Sequence, residues 1–174
     1  PPPPIEIPDR EALGMATHLD AAKGAYIIKE YDMNRPKEGL VIVRGTSSTN
    51  SLVEILPKLK LKGPNVKVVA AISWELFQQQ TEGYRQSTIS NQEWMDAMVI
   101  TNGAKRLMHK WIANRVVEEY SMSPDFDNRW RSGGSLDEII AESKLDSESV
   151  WEGINQFARS RKQRLASIQE SIPE

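Results

Sequence analysis

Few side chains in this sequence are of types and spacings that do chemistry. The clearest run is Gly45-Thr46-Ser47-Ser48, a glycine and three hydroxyl residues set between an apolar stretch and a helical pattern. A helix N-terminus offers unpaired amides and the positive end of the helix dipole, so such a turn can receive a phosphate or carboxylate. The same residues also make a plain helix cap, with Ser47 or Ser48 accepting a backbone amide and Gly45 forming the tight turn. Neither G-x-G-x-x-G nor a P-loop lysine is present, so the cap is the simpler reading and the anion site the alternative. Of the two histidines, His109 adjoins Met108 at the edge of an apolar face and His18 lies near the proline-rich linker. A catalytic imidazole needs a carboxylate or nucleophile beside it, and no H-E-x-x-H or G-x-S-x-G supplies one. Both histidines therefore read as structural or exposed. The absence of cysteine excludes disulfides, thiolate zinc sites and cysteine nucleophiles. No catalytic or metal constellation is visible in the residues themselves.

Two further clusters invite a binding reading. Trp74 and Phe77 stand within four residues of each other, either exposed at a partner surface or buried under the loop that follows. Arg159, Arg161, Lys162 and Arg164 fall near the end of a predicted helix, where cations complement the dipole. With only Phe157 interleaved, they do not read as a nucleic-acid surface. The net charge of −2, with both signs mixed along the chain, agrees with that.

The elements that must position these residues alternate between strand and helix. Val66–Ile72 is a buried strand by its β-branched residues, and it stops at Ser73. In an open α/β sheet, the carboxyl ends of the strands are where ligands or partners gather. Gly24–Tyr31 reads as a first strand, Asp32–Gly39 as a turn, and Leu40–Val43 as a short strand apolar on both faces. Leu52, Ile55, Leu56 and Leu59 mark a helix that Pro57 is predicted to kink or split near Val53–Leu56. Strand, helix and strand in this order predict a right-handed βαβ crossover. Gln78–Ser90 reads as a loop with a helical turn, and Asn91–Asp96 leads into a strand at Ala97–Thr101. Lys105–Tyr120 is predicted as one helix, with Met108, Trp111, Ile112, Val116 and Tyr120 along one face. Ser121–Gly134 reads as irregular. Ser135 and Glu138 form a capping box that opens a short helix. The last helix, capped by Asp146 or Ser147, carries Val150, Ile154, Phe157, Arg161, Leu165 and Ile168, and its end is predicted to project from the domain.

The 174 residues suit one domain with a linker. Five Trp, three Phe and four Tyr supply large groups for a core. No apolar run reaches the length of a membrane span, and no signal peptide is evident. A cytoplasmic protein without nucleic-acid or membrane partners is expected. Pro1–Pro8 cannot form helix or central strand and reads as a stiff linker within residues 1–22. The chain begins with Pro1 and reads as a piece of a longer one.

Taken in order, several stretches resemble the C-terminal domain of transketolases. Lys23-Gly24-Ala25-Tyr26-Ile27-Ile28 is similar to the strand that opens that domain, and Leu40–Val43 with Gly45-Thr46-Ser47 to its next strand and turn. Ser73-Trp74-Glu75-Leu76-Phe77, followed by Gln80, Tyr84, Arg85 and Ser87, is the most specific signature. His109-Lys110-Trp111 stands where the family often has Trp-His-Lys-Tyr. Asp127-Asn128-Arg129-Trp130 with Ser132-Gly133-Gly134 resembles its Asp-Arg-Phe-Gly-x-Ser segment, and the region of Leu145 its Phe-Gly-Phe-Thr turn. The sequence departs from the family at Asn102, where Glu is usual, and at Trp130-Arg131 in place of Phe-Gly, so it resembles a divergent member.

The resemblance implies a three-layer α/β/α domain over residues 23–170, with a five-stranded, mostly parallel mixed sheet and one antiparallel edge strand. It implies a homodimeric enzyme that moves a two-carbon ketol unit between sugar phosphates with thiamine diphosphate and a divalent metal, magnesium or calcium. The pyrophosphate- and pyrimidine-binding domains would lie upstream, so no catalytic residue, cofactor or metal ligand carries over to this chain. The domain itself is then expected to be structural, dimer-supporting and regulatory, with Gly45, Thr46, Ser47 and Ser48 the place to seek a ligand and Trp74 and Phe77 a partner. Two alternatives stand beside it. One is the equivalent domain of a 2-oxoacid dehydrogenase or deoxyxylulose phosphate synthase; the other is a free-standing anion-binding module.

Overall fold

The computed structural model describes residues 7–129, 131 and 133–171. The polyproline start, Trp130 and Ser132 fall outside them. Four short apolar runs form the strands: β1 (Ala25–Lys29), β2 (Leu40–Arg44), β3 (Lys67–Ala71) and β4 (Ala97–Thr101). Their order in the sheet is β1-β3-β2-β4. β2 lies parallel to β3, Leu40 beside Lys67 through Val43 beside Ala70, and parallel to β4, Leu40 beside Ala97 through Arg44 beside Thr101. β1 is the antiparallel edge strand, with its register interrupted between Ile27 and Lys29.

Because side chains alternate along a strand, each apolar run serves both faces of the sheet. Val41, Val43, Val68, Met98 and Ile100 face α1 (Thr46–Lys62) and α7 (Ser147–Arg159). Leu40, Ile42, Val69, Ala97 and Val99 face the other layer. That layer holds α2 (Trp74–Gln78), α3 (Glu82–Thr88), α4 (Asn91–Met95) and a 3-10 turn at Lys105–Met108. The three-layer α/β/α arrangement follows, with α5 (Arg115–Glu118), α6 (Leu136–Glu142) and α8 (Arg161–Glu170) completing it. Among the described residues, no helix is long and apolar enough to cross a membrane.

The structure corrects the sequence reading in five places. Four strands, not five, make up the sheet among the described residues. A fifth is reduced to one bridge, where the Met122 amide donates to Val99 O at 2.8 Å and Thr101 donates to Met122 O at 2.9 Å. The bridge cannot lengthen, because Pro124 has no amide and the Ser121 hydroxyl takes the Val99 amide in place of a backbone carbonyl. Pro57 does not split α1, which runs unbroken from Thr46 to Lys62. Pro57 lies on the exposed side, where water can satisfy the Val53 carbonyl it leaves free.

Lys105–Tyr120 is not one helix. The Trp94 indole donates to Trp111 O at 3.0 Å, and Asn114, in an extended conformation, caps Val117 while its amide donates to Met95 O at 3.0 Å. These bonds hold a bend between two short helical pieces and bury Val117 rather than Val116. The loop with a helical turn expected at Gln78–Ser90 holds a longer helix, the seven-residue α3, capped by Thr81. Finally, the last helix does not project. It breaks at Ser160, and α8 packs back so that Arg164 and Ile168 are buried. Both predicted caps nearby are present, the Ser135–Glu138 capping box and Asp146.

Candidate functional site

The chain leaves β2 for β3 through α1 on one face, and reaches β4 from β3 through α2–α4 on the other. The chain leaves β4 through the Lys105–Met108 turn on that second face, so the exits from the neighbouring strands β2 and β4 diverge at their carboxyl ends, where an open α/β sheet forms its crevice. Gly45 stands at one lip and Asn102 at the other. Gly45 has φ +96 and is the N-cap of α1, with no side-chain cap bond. A Cβ on Gly45 would lie 1.8 Å from Asn102 Oδ1, so the asparagine occupies the space a side chain would take. Asn102 Nδ2 donates to Ser47 Oγ at 3.1 Å. Thr46 is exposed, and the fully buried Ser48 hydroxyl has no partner among the described residues.

The cap expected from Ser47 or Ser48 is thus a bare glycine turn. Ser47 is spent on Asn102, the residue where the sequence departs from the resembled pattern.

Ser73, just past the end of β3, is extended, and its hydroxyl caps α2 through the Leu76 amide at 3.3 Å. That cap turns Trp74 and Phe77 toward the sheet. Trp74 meets Trp111 edge-on at 5.0 Å and Trp94 at 6.1 Å, and Phe77 stacks on Trp111 at 5.8 Å. Phe77 is buried and Trp74 half-buried; the apolar side chains that face outward here are Ile72 and Leu76, 44% and 40% exposed. Lys110 reaches Glu75 at 2.5 Å and holds that carboxyl below its ordinary range through this bond. A cavity of about 360 Å³ lies beside the rings, walled by Trp74, Phe77, Ile89 and Trp94 with Arg85 and Asn91 on its rim. Trp94 and Trp111 join this cluster from distant elements. The missed signal was the run of aromatics at the ends of short segments.

At the opposite end of the sheet, Asp96 accepts from Arg161 at 2.7 Å and from Arg164 at 2.6 Å. Arg164 also lies over the Phe157 ring at 3.6 Å. The basic tail therefore does not merely complement a helix dipole; two of its members hold α8 against the start of β4. His109 is exposed, with Nδ1 near Arg106 O at 3.1 Å. The described residues do not fit a diphosphate held through a divalent metal. Among them no three His, Cys, Asp or Glu side chains gather where an ion could sit, and Asn102 fills the glycine turn.

Residues 24–123, which hold all four strands, the glycine turn and the aromatic cluster, match the family described as the transketolase-like C-terminal domain. The chain belongs to this family. The transketolase of Nostoc sp. is 29% identical over 131 residues, spanning 72% of this chain and 19% of its own. The chloroplastic transketolase of Solanum tuberosum is 37% identical over 71 residues, spanning 40% of this chain and 9% of its own. This transketolase C-terminal domain thus spans a fifth or less of the curated relatives it matches. Among solved structures, the transketolase of Leishmania mexicana superposes with a TM-score of 0.61 at 18% identity, covering 84% of this chain and 19% of that one. A Pichia stipitis transketolase in complex with xylulose-5-phosphate gives 0.58 at 19% identity, covering 87% and 20%. At such identities the likeness shows the fold, here with four strands in the sheet among the described residues.

Proposed function

We infer that this domain serves an enzyme that transfers a two-carbon ketol unit from a ketose phosphate to an aldose phosphate. The observation that carries the reading is the family match over residues 24–123, from the first strand through the Trp74 signature. The sugar-phosphate substrate class follows the Pichia stipitis transketolases of this fold, described as complexes with xylulose-5-phosphate and sedoheptulose-7-phosphate. In this reading, thiamine diphosphate and its magnesium or calcium ion are held outside the described residues, by pyrophosphate- and pyrimidine-binding domains. This domain supplies no catalytic residue. It packs against those domains and supports a homodimer, with Ile72 and Leu76, and Trp74 behind them, as the apolar surface for that contact.

The test is to capture the native species with an antibody raised against this chain, measure its size, and assay it. The expected result is an assembly several-fold heavier than 19.7 kDa that transfers two carbons from xylulose 5-phosphate to ribose 5-phosphate and stops when thiamine diphosphate is removed. Turnover of pyruvate or another 2-oxoacid instead would replace the reading with a 2-oxoacid dehydrogenase or deoxyxylulose phosphate synthase. Transfer by the isolated 174-residue chain would overturn the non-catalytic role.

A further inference from the structure

A separate cavity of about 290 Å³ opens beside the carboxyl end of β1 and the start of β3, and three cations line it: Lys29, Arg35 and Lys60. Lys29 is unlike a surface lysine, being only 8% exposed. Its ammonium donates to Val66 O at 2.8 Å and Glu30 O at 3.1 Å. An ammonium carries three N–H groups, so one remains uncommitted among the described residues. Lys60 donates to Leu13 O, and Arg35 to Gly63 O at 2.7 Å, with Glu38 farther off at 3.9 Å. Carbonyl oxygens satisfy these donors without neutralising their charge. Neither Lys29 nor Lys60 has an ion-pair partner among the described residues.

Two carboxylates share the cavity wall, and both are engaged. Glu30 faces Lys67 at 3.5 Å and accepts the Tyr31 amide at 2.9 Å, while Asp32 accepts the Asn34 amide at 2.9 Å. A buried ammonium with no carboxylate in direct contact is costly. Burial first, and then Arg35 and Lys60, push Lys29 below its ordinary range against the opposing pull of Glu30 and Asp32. Three cations against two carboxylates leave the cavity wall with one positive charge in excess.

We propose that this cavity binds a compact oxyanion, inorganic phosphate or the phosphate group of a small phosphorylated metabolite, through Lys29, Arg35 and Lys60. A phosphate presents several acceptor oxygens, which suits donors arriving from β1, the turn after it and α1. The volume, at the lower end for a ligand pocket, admits a phosphate with a small body attached. The site stands apart from the glycine turn at Gly45–Ser48 and from the aromatic cluster, and it involves neither.

Calorimetric titration of the chain with sodium phosphate and with ribose 5-phosphate, in chloride buffer of matched ionic strength, tests it. One saturable site is expected. Lys60→Gln and Arg35→Gln should each weaken binding about tenfold. Lys58→Gln, which removes an α1 lysine stacked on Trp151, should leave it unchanged. Tighter binding of ribose 5-phosphate assigns the ester as ligand, and equal affinity assigns free phosphate. Lys29 ties β1 to the start of β3, so these exposed variants carry the test, supported by the Lys29 ¹³Cε shift, whose titration phosphate should move to higher pH. No saturable binding, binding that survives both variants, or binding lost in Ser47→Ala instead would overturn the proposal.

Discussion

Single residues in this domain act chiefly by the polar groups they commit, and Tyr31 shows it with a sign that can be tested. Its hydroxyl donates to Gly39 O at 3.2 Å while the ring is buried. Burial, and then Glu93 and Asp96, push the phenol well above its ordinary value of 10.0. Above that pH the unfolded chain sheds the proton that the folded chain keeps, so Tyr31 lowers stability as pH rises past 10. Tyr31→Phe is expected to cost about 1 kcal/mol at neutral pH, the worth of one hydrogen bond. It should then lose less than the unchanged chain on going to pH 11, read from urea midpoints at both pH values. An equal alkaline loss in both proteins would mean that Tyr31 does not govern it. Gly45 is a residue of another kind, needed for its positive φ and for the room it leaves Asn102. The glycine turn was visible in the sequence. Its occupant was not, because Asn102 reaches it only after β4 has paired with β2.

At the scale of elements, the strands were legible because each is a compact apolar run, and α1 because its leucines repeat at helical spacing. What escaped was set by contacts between distant parts. The bend at Trp111 depends on an indole from Trp94, and the return of α8 depends on Asp96, 68 residues before Arg164. A cation on a heptad-like face looks solvated until its partner is known. This pairing makes α8 dependent on one carboxylate. Asp96→Ala leaves the Arg164 guanidinium buried and uncompensated, and is expected to cost about 3–5 kcal/mol in urea unfolding. Arg164→Met, which removes the buried charge while keeping an apolar body over Phe157, should cost less. Native-state hydrogen exchange of Asp96→Ala should quicken along Arg161–Glu170 while β2 and β4 stay protected. Unchanged exchange in α8 would show that Ile168 alone holds it.

For the whole molecule, the question is what completes the domain, since the family match ends at residue 123 and α6–α8 lie beyond it. Those helices are not an appendage. Val150, Ile154 and Phe157 of α7 are fully buried against the face formed by Val41, Val43, Met98 and Ile100. Tyr120 meets Phe157 edge-on at 5.8 Å, tying the end of the matched region to the same helix. Burying three such side chains stabilises by about 5–9 kcal/mol, at roughly 1.5–3 kcal/mol each. That is of the order of the whole stability of a domain, about 5–15 kcal/mol. Without α7, the same strand residues would face water beside α1. A chain ending at Ser123 is therefore expected to lose cooperative urea unfolding and to bind a hydrophobic dye, whereas the full chain unfolds in one transition. A cooperative transition for the truncated chain, with its midpoint close to that of the full chain, would mean that α1 alone suffices to cover that face. If the loss occurs, the limit of sequence similarity and the limit of the folding unit differ in this domain, because the similarity follows the strands and their carboxyl-end turns while stability needs the helix that closes one layer.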